Sequence, residues 1–128
     1  MPDLGISKYL DEVHADWLGS RAEFSKNLHP PDQWPIPFFG NPRRAVVATV
    51  GVNPSSGEFA DSRGWGSVHS KGDWKKRLKN YFKPAPPTPG PHSWFDSWRA
   101  GLPLIGVSYE ADTAAHVDVS YRSTIAML

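Results

Sequence analysis

Apolar residues recur at helical spacing along the first segment. Ile6, Tyr9, Leu10, Val13 and Trp17 alternate with polar positions such as Glu12, Asp16 and Arg21, which predicts a helix over residues 6–28. Residues 29–42 break that pattern with Pro30, Pro31, Pro35, Pro37 and Pro42, a density that no helix or central strand tolerates. A continuous apolar, β-branched run follows from Ala45 to Val52 and reads as a parallel strand buried on both faces. It stops in Asn53-Pro54-Ser55-Ser56-Gly57, residues that punctuate a chain strongly.

Further along, Trp74, Leu78 and Tyr81 or Phe82 mark the inward face of a helix over residues 73–82, with Asp73 as its cap. The prolines from Pro84 to Pro91 end it. Residues 92–102 predict another helix, with Trp94, Phe95 and Trp98 on one side. A second buried strand is expected from Ala114 to Val119. Two bounded apolar runs separated by helical segments are the pattern of right-handed parallel crossovers. The expectation is an α/β fold, a three-layer α/β/α sandwich on a short central parallel sheet. It occupies one domain over residues 1–128, with a helix and proline-rich connector over 1–42 and a site-bearing core over 43–128. The end of the chain, Ile125-Ala126-Met127-Leu128, is apolar without a helix stop signal. The expectation there is a domain cut short, with an exposed apolar surface nearby.

Composition narrows the chemistry. The 128 residues, 39% hydrophobic with six Trp, suit one globular core. Without Cys there is no disulfide, thiolate catalysis, Cys-ligated zinc or cysteine-held iron–sulfur cluster. A net charge of +1 sets no partner preference by itself. No apolar run approaches the ~18 residues of a membrane span, and the first residues lack a signal-peptide pattern, so a cytoplasmic protein with no membrane partner is expected. His116 and Asp118 lie two apart and share a strand face, but no third ligand is close in sequence, so neither a metal nor a cofactor is expected.

Parallel strands deliver polar groups to the crevice at their carboxyl ends, where open α/β sheets bind ligands. Asn53 and Asp118 stand at those two ends. Asn53 in an Asn-Pro turn also suits a purely structural Asx turn, and Phe59 also suits a core position. The basic stretch Lys71, Lys75, Lys76, Arg77, Lys79 and Lys83 is interleaved with Trp74, Tyr81 and Phe82. It fits either a phosphate backbone with unstacked bases or a helix whose lysines are simply solvated.

The run Ile36-Pro37-Phe38-Phe39-Gly40-Asn41-Pro42, the strand from Ala45, and Gly51-Val52-Asn53-Pro54-Ser55 together resemble the opening of the uracil-DNA glycosylase superfamily, in its branches with a Gly-aliphatic-Asn-Pro first motif. Trp74 to Leu78 looks like the helix after that motif, and Ala114 to Val119 like the strand that recognises the base. The resemblance implies the three-layer fold and hydrolysis of the N-glycosidic bond between a damaged or deaminated base and deoxyribose, with DNA as partner and the base flipped out. It implies Asn53 as the catalytic residue that orients water, and Gly51, Val52, Pro54, Ser55, Phe59 and Asp118 as substrate-binding residues, Phe59 stacking on the base. Backbone N–H groups after Asn53 would steady the departing base. Lys75, Lys76, Arg77 and Lys79 would meet the DNA backbone.

Two departures qualify the implied activity. Asp118 stands where uracil-specific members carry Asn, and an ionised carboxylate only accepts hydrogen bonds, so a base edge rich in donors is expected in place of uracil. The family's late His-containing motif has no counterpart in the ten residues after Asp118. The alternatives are a catalytically silent relative that binds a nucleobase or nucleic acid, and an unrelated α/β domain whose Asn-Pro turn is structural.

Overall fold

The computed structural model describes residues 4–20 and 33–121. Helix α1 (Leu4–Ser20) precedes the two-residue strand β1 (Phe38–Phe39), strand β2 (Val47–Gly51), helix α2 (Lys71–Lys79), helix α3 (Asp96–Gly101) and strand β3 (Ala114–Asp118). The strands form a small mixed sheet in the order β1-β3-β2, with β1 antiparallel and β2 parallel to the central β3. Helices with a small mixed sheet are compatible with the expected α/β class, but the sheet is not all parallel, because β1 pairs antiparallel with β3.

Helix α1 forms because Leu10, Val13 and Trp17 fall on one face and are buried. The expected continuation over residues 21–28 lies outside the described residues. Leu10 and Val13 share one core with Ile36, Phe38, Trp74, Leu78, Phe82, Phe95 and Tyr109. Lys75 ties α2 to α1 through Ser7 and Asp11, and together with Lys71 it holds the Asp11 carboxyl below its usual range.

Helix α2 starts two residues earlier than its apolar pattern suggests. Its cap is Ser70, whose Oγ accepts from the Asp73 N–H at 3.0 Å; Asp73 instead occupies the first turn. Trp74 and Leu78 are buried, as are both Tyr81 and Phe82 in the turn that follows. The single helix expected over residues 92–102 is three pieces. A 3₁₀ turn (Ser93–Phe95), α3 and a second 3₁₀ turn (Leu102–Ile105) follow one another, the last with Pro103 at its start. Only Phe95 of its three large aromatics is buried; Trp94 and Trp98 are half exposed.

The largest correction concerns β2. It is not a central strand buried on both faces but an edge among the described strands. Parallel register places Val47, Thr49 and Gly51 opposite Ala114, His116 and Asp118, on the interior face. The opposite face is open, with Val46, Val50 and Val52 exposed at 77%, 61% and 63%. The physical reason is coverage. Helix α1 packs against α2 and α2 against β1, on the far side of β3 from β2. Val119, 79% exposed, continues this apolar surface at the end of β3; Ile125, Met127 and Leu128, on which the expected C-terminal surface turns, lie outside the described residues.

Candidate functional site

Two backbone bonds extend the β2–β3 ladder past the strand ends, from Val119 N–H to Gly51 O and from Ser120 N–H to Val52 O, both 2.9 Å. They hold the turn after β2 beside the end of β3. Between them opens a cavity of about 160 Å³, lined by Phe39, Gly51, Val52, Asn53, Pro54, Ser55, Glu58, His92, Trp94, Phe95, His116 and Asp118. Asn53 and Asp118 thus share one cavity at the carboxyl ends of neighbouring parallel strands. Gly51, Val52, Pro54 and Ser55 join them.

A buried polar chain runs along the interior face of the sheet into this cavity. The Tyr109 hydroxyl lies 2.6 Å from Thr49 Oγ1, which lies 2.9 Å from His116 Nδ1, and His116 Nε2 lies 3.3 Å from Asp118 Oδ1. The His116 and Asp118 side chains are 4% and 3% exposed. Burial pushes the Tyr109 phenol above its usual range despite the opposing Thr49 bond, so it enters the chain protonated. Gly51 makes room for the inner pair. A Cβ built there would stand 2.7 Å from Asp118 Oδ1 and 3.0 Å from His116 Nε2. The glycine is thus required for close approach, as at sites where backbone must lie against another group.

Across the cavity sits a second carboxylate. Glu58 accepts from Tyr81 OH at 2.6 Å, Trp65 Nε1 at 3.0 Å and Arg63 NH2 at 3.3 Å. Burial, reinforced by the Glu58 charge, pushes the Tyr81 phenol far above its usual value, so it stays a donor. Tyr81 OH also accepts from the His92 N–H at 2.9 Å, and His92 Nδ1 caps the following turn by accepting from the Trp94 N–H at 3.1 Å. Trp94 and Phe95 meet the His116 ring edge-on, with centroids 5.1 and 4.9 Å away.

Phe59 does not reach this cavity. It packs against Trp65, ring centroids 5.4 Å apart, because the 3₁₀ turn Ser56–Phe59 directs Glu58 inward and leaves Phe59 beside the next turn. The aromatic wall comes from Phe39, Trp94 and Phe95 instead. Nor are all backbone N–H groups after Asn53 available to a ligand. The Gly57 N–H donates to Ser55 Oγ and the Glu58 N–H to Ser55 O, both 3.1 Å.

The basic stretch is divided in use. Lys75 bonds Ser7 and Asp11, while Arg77 donates to the carbonyls of Arg63 and Gly64 and lies 4.6 Å over the Trp65 ring. Burial lowers the Arg77 pKa. Lys76 and Lys79 are exposed, and both line a different cavity of about 390 Å³ beside Ile6, Leu10 and Phe38. None of the four lines the Asn53 cavity. Among the described residues no group of three or more His, Asp or Glu is placed to hold a metal, and no helix is long and apolar enough to cross a membrane.

Sequence reasoning missed Glu58, His92 and Trp94 as cavity residues and took His116 only as a weak metal candidate. The Thr49 hydroxyl was the readable signal for His116. It is the single polar side chain in the apolar run of β2, and its register partner is His116. Glu58 and His92 left no comparable signal, since Tyr81 brings them together across sequence gaps of 23 and 11 residues. No protein-family model, no curated protein and no solved structure matches this chain.

Proposed function

We propose that the chain is a relative of the uracil-DNA glycosylase superfamily that hydrolyses the N-glycosidic bond of a damaged or deaminated base in DNA. The observation that carries this reading is the meeting of Asn53 and Asp118 in one small cavity at parallel strand ends. At about 160 Å³ the cavity is below the ~300–1,000 Å³ of sites for larger ligands, which suits a single flipped heterocycle. In this reading the small sheet belongs to a three-layer α/β/α sandwich, and the protein works in the cytoplasm.

Asn53 orients the water that attacks the sugar carbon; its amide is too weak a base to take a proton, so its contribution is geometric. The new bond joins water oxygen to that carbon, the base departs as an anion with the electrons of the broken C–N bond, and the proton the water loses goes to solvent, from which the departed base is protonated. Trp94, half exposed on the cavity wall, takes the stacking position expected of Phe59. Lys76 and Lys79, both exposed, are the candidates for contacts to the DNA backbone.

A second reading, a nucleobase-binding relative without hydrolysis, is favoured by one observation. Among the described residues, no Lys or Arg lines the cavity to meet a phosphate backbone. Strand cleavage at the abasic product, measured over a panel of modified bases, separates the two. Excision that Asn53→Ala lowers ~100-fold or more while base binding persists supports the hydrolase. Excision equal in native and Asn53→Ala protein rules out the role of Asn53, and binding with no excision of any base leaves the second reading.

A further inference from the structure

With Asp118 as a carboxylate and His116 as a neutral imidazole, the hydrogen-bond chain behind Asp118 runs one way, and that direction sets what the cavity reads. An ionised Asp118 can only accept, so His116 Nε2 carries the hydrogen in their 3.3 Å contact. A neutral imidazole then has its lone pair on Nδ1, so the Thr49 hydroxyl donates to it at 2.9 Å. With its hydrogen so placed, Thr49 Oγ1 accepts from Tyr109 OH at 2.6 Å. Each group in the chain gives one hydrogen toward Asp118. The chain ends on a carboxylate 97% buried by its side chain, whose only side-chain hydrogen bond among the described residues is the long one from His116.

A carboxylate has about four acceptor positions, and a buried one held by a single long bond is under-satisfied. Water in a cavity of about 160 Å³ or a ligand must supply the remaining donors. Each common base offers a different edge. Uracil and thymine set a donor between two acceptors, cytosine and adenine put an amino donor beside a ring acceptor, and each would bring a lone pair against Asp118. Guanine alone among them presents two adjacent donors, its ring N1–H and its exocyclic amino group, and these match the two oxygens of one carboxylate.

Building on the reading of the cavity as a base pocket, we propose that Asp118, oriented by His116 and Thr49 and admitted by Gly51, is a specificity residue for guanine-type bases, whether intact or modified elsewhere on the ring. His116 and Thr49 act through Asp118 as positioning residues. The chain's one-way polarity keeps the reading edge an acceptor.

The test is binding of 9-methylguanine, 9-methyladenine, 1-methylcytosine and 1-methyluracil to the full chain. It is followed by Trp fluorescence, since Trp94 forms part of the wall, and by the imidazole ¹⁵N–¹H spectrum of His116. The expected result is roughly 10-fold or tighter binding of 9-methylguanine over the other three, with His116 in the Nε2–H form before and after binding. Asp118→Asn should reverse the preference toward 1-methyluracil, whose acceptor and donor an amide can match. If none of the four bases binds, the base-pocket reading falls and this proposal with it. If they bind alike, or uracil binds best to the native chain, the pocket reading stands and the guanine assignment is overturned. A guanine preference that survives in folded Asp118→Asn protein removes Asp118 from the recognition, and an Nδ1–H form of His116 overturns the direction of the chain. The native-chain panel and spectrum keep the test decisive should Asp118→Asn fail to fold.

Discussion

Glu58 and Asp118 are buried carboxylates on the wall of one cavity, yet Glu58 has three hydrogen-bond donors, one of them charged, and Asp118 a single imidazole at 3.3 Å. Burying an ionised group is costly unless hydrogen bonds and opposite charge replace its water. Glu58 has those replacements within the chain. Its partners Trp65, Tyr81 and Arg63 come from the turns on either side of α2, so the carboxylate joins those turns to each other, and Tyr81, stacked on Phe39, joins them to β1. Asp118 lacks them, and the fold instead keeps Gly51 bare so that the carboxylate can sit at the cavity. Side by side, the pair contrasts a carboxylate whose donors the fold supplies with one that the fold leaves with a single long hydrogen bond.

Removing Glu58 gives the largest expected effect. Glu58→Ala strands the Arg63 guanidinium, 14% exposed, together with the buried donors of Tyr81 and Trp65. Breaking a buried pair from one side costs about 3–5 kcal/mol. Urea unfolding followed by Trp fluorescence should show a loss of that size. A cost below about 1 kcal/mol would put Glu58 in the same class as Asp118 and erase the contrast.

Tyr81 sharpens the contrast through pH. Tyr81→Phe removes the 2.6 Å donor to Glu58 and the acceptor of the His92 N–H, with an expected loss of about 1–3 kcal/mol at neutral pH. The folded phenol is raised above its unfolded value of 10.0. Below pH 10 both states keep the proton, and the stabilisation is fully present. As pH rises past 10 the unfolded chain loses the proton while the folded chain holds it, so native stability falls toward the folded value. Tyr81→Phe should flatten this alkaline slope in denaturation midpoints taken at successive pH values. Tyr109, also raised, should leave part of the slope in place. An unchanged slope in Tyr81→Phe would mean that its phenol titrates alike in both states.

What could be read from the chain and what could not follow from the range of each interaction. The pairing of Asn53 with Asp118 was legible because two apolar runs each end in a polar residue, and neighbouring parallel strands end on the same side. The openness of β2 was not, since Ala45-Val46-Val47-Ala48 carries no alternation to tell an edge strand from a central one. Only Thr49 hinted at facing. Ser70 and Asp73 both suit a helix start by residue type, and the choice between them lies in a single hydrogen bond from the Asp73 N–H to the Ser70 hydroxyl. The aromatic wall was misplaced by proximity in sequence. Phe59 is six residues after Asn53 but turns to Trp65, whereas Trp94 and Phe39 arrive from distant segments. Lys75 and Arg77 read as solvent-facing because their partners, Asp11 and the Arg63 carbonyl, belong to other elements.

Asp118→Asn carries the smallest expected effect on stability, and for that reason tests the contrast most directly. The amide oxygen can still accept from His116 Nε2, and the buried charge disappears. The hydrogen bond lost in strength is a long one, and hydrogen bonds to charged groups contribute about 1.5–3 kcal/mol only with good geometry. These two changes oppose each other, so the unfolding free energy should move by less than about 1 kcal/mol, in either direction. If the variant instead loses as much as Glu58→Ala, the native carboxylate is held by the fold as firmly as Glu58 is. Its place at the cavity would then be structural. A neutral or stabilising result, measured in the same urea series, would mean that the fold itself gains nothing from the charge. The charge would then have to be explained by what enters the cavity.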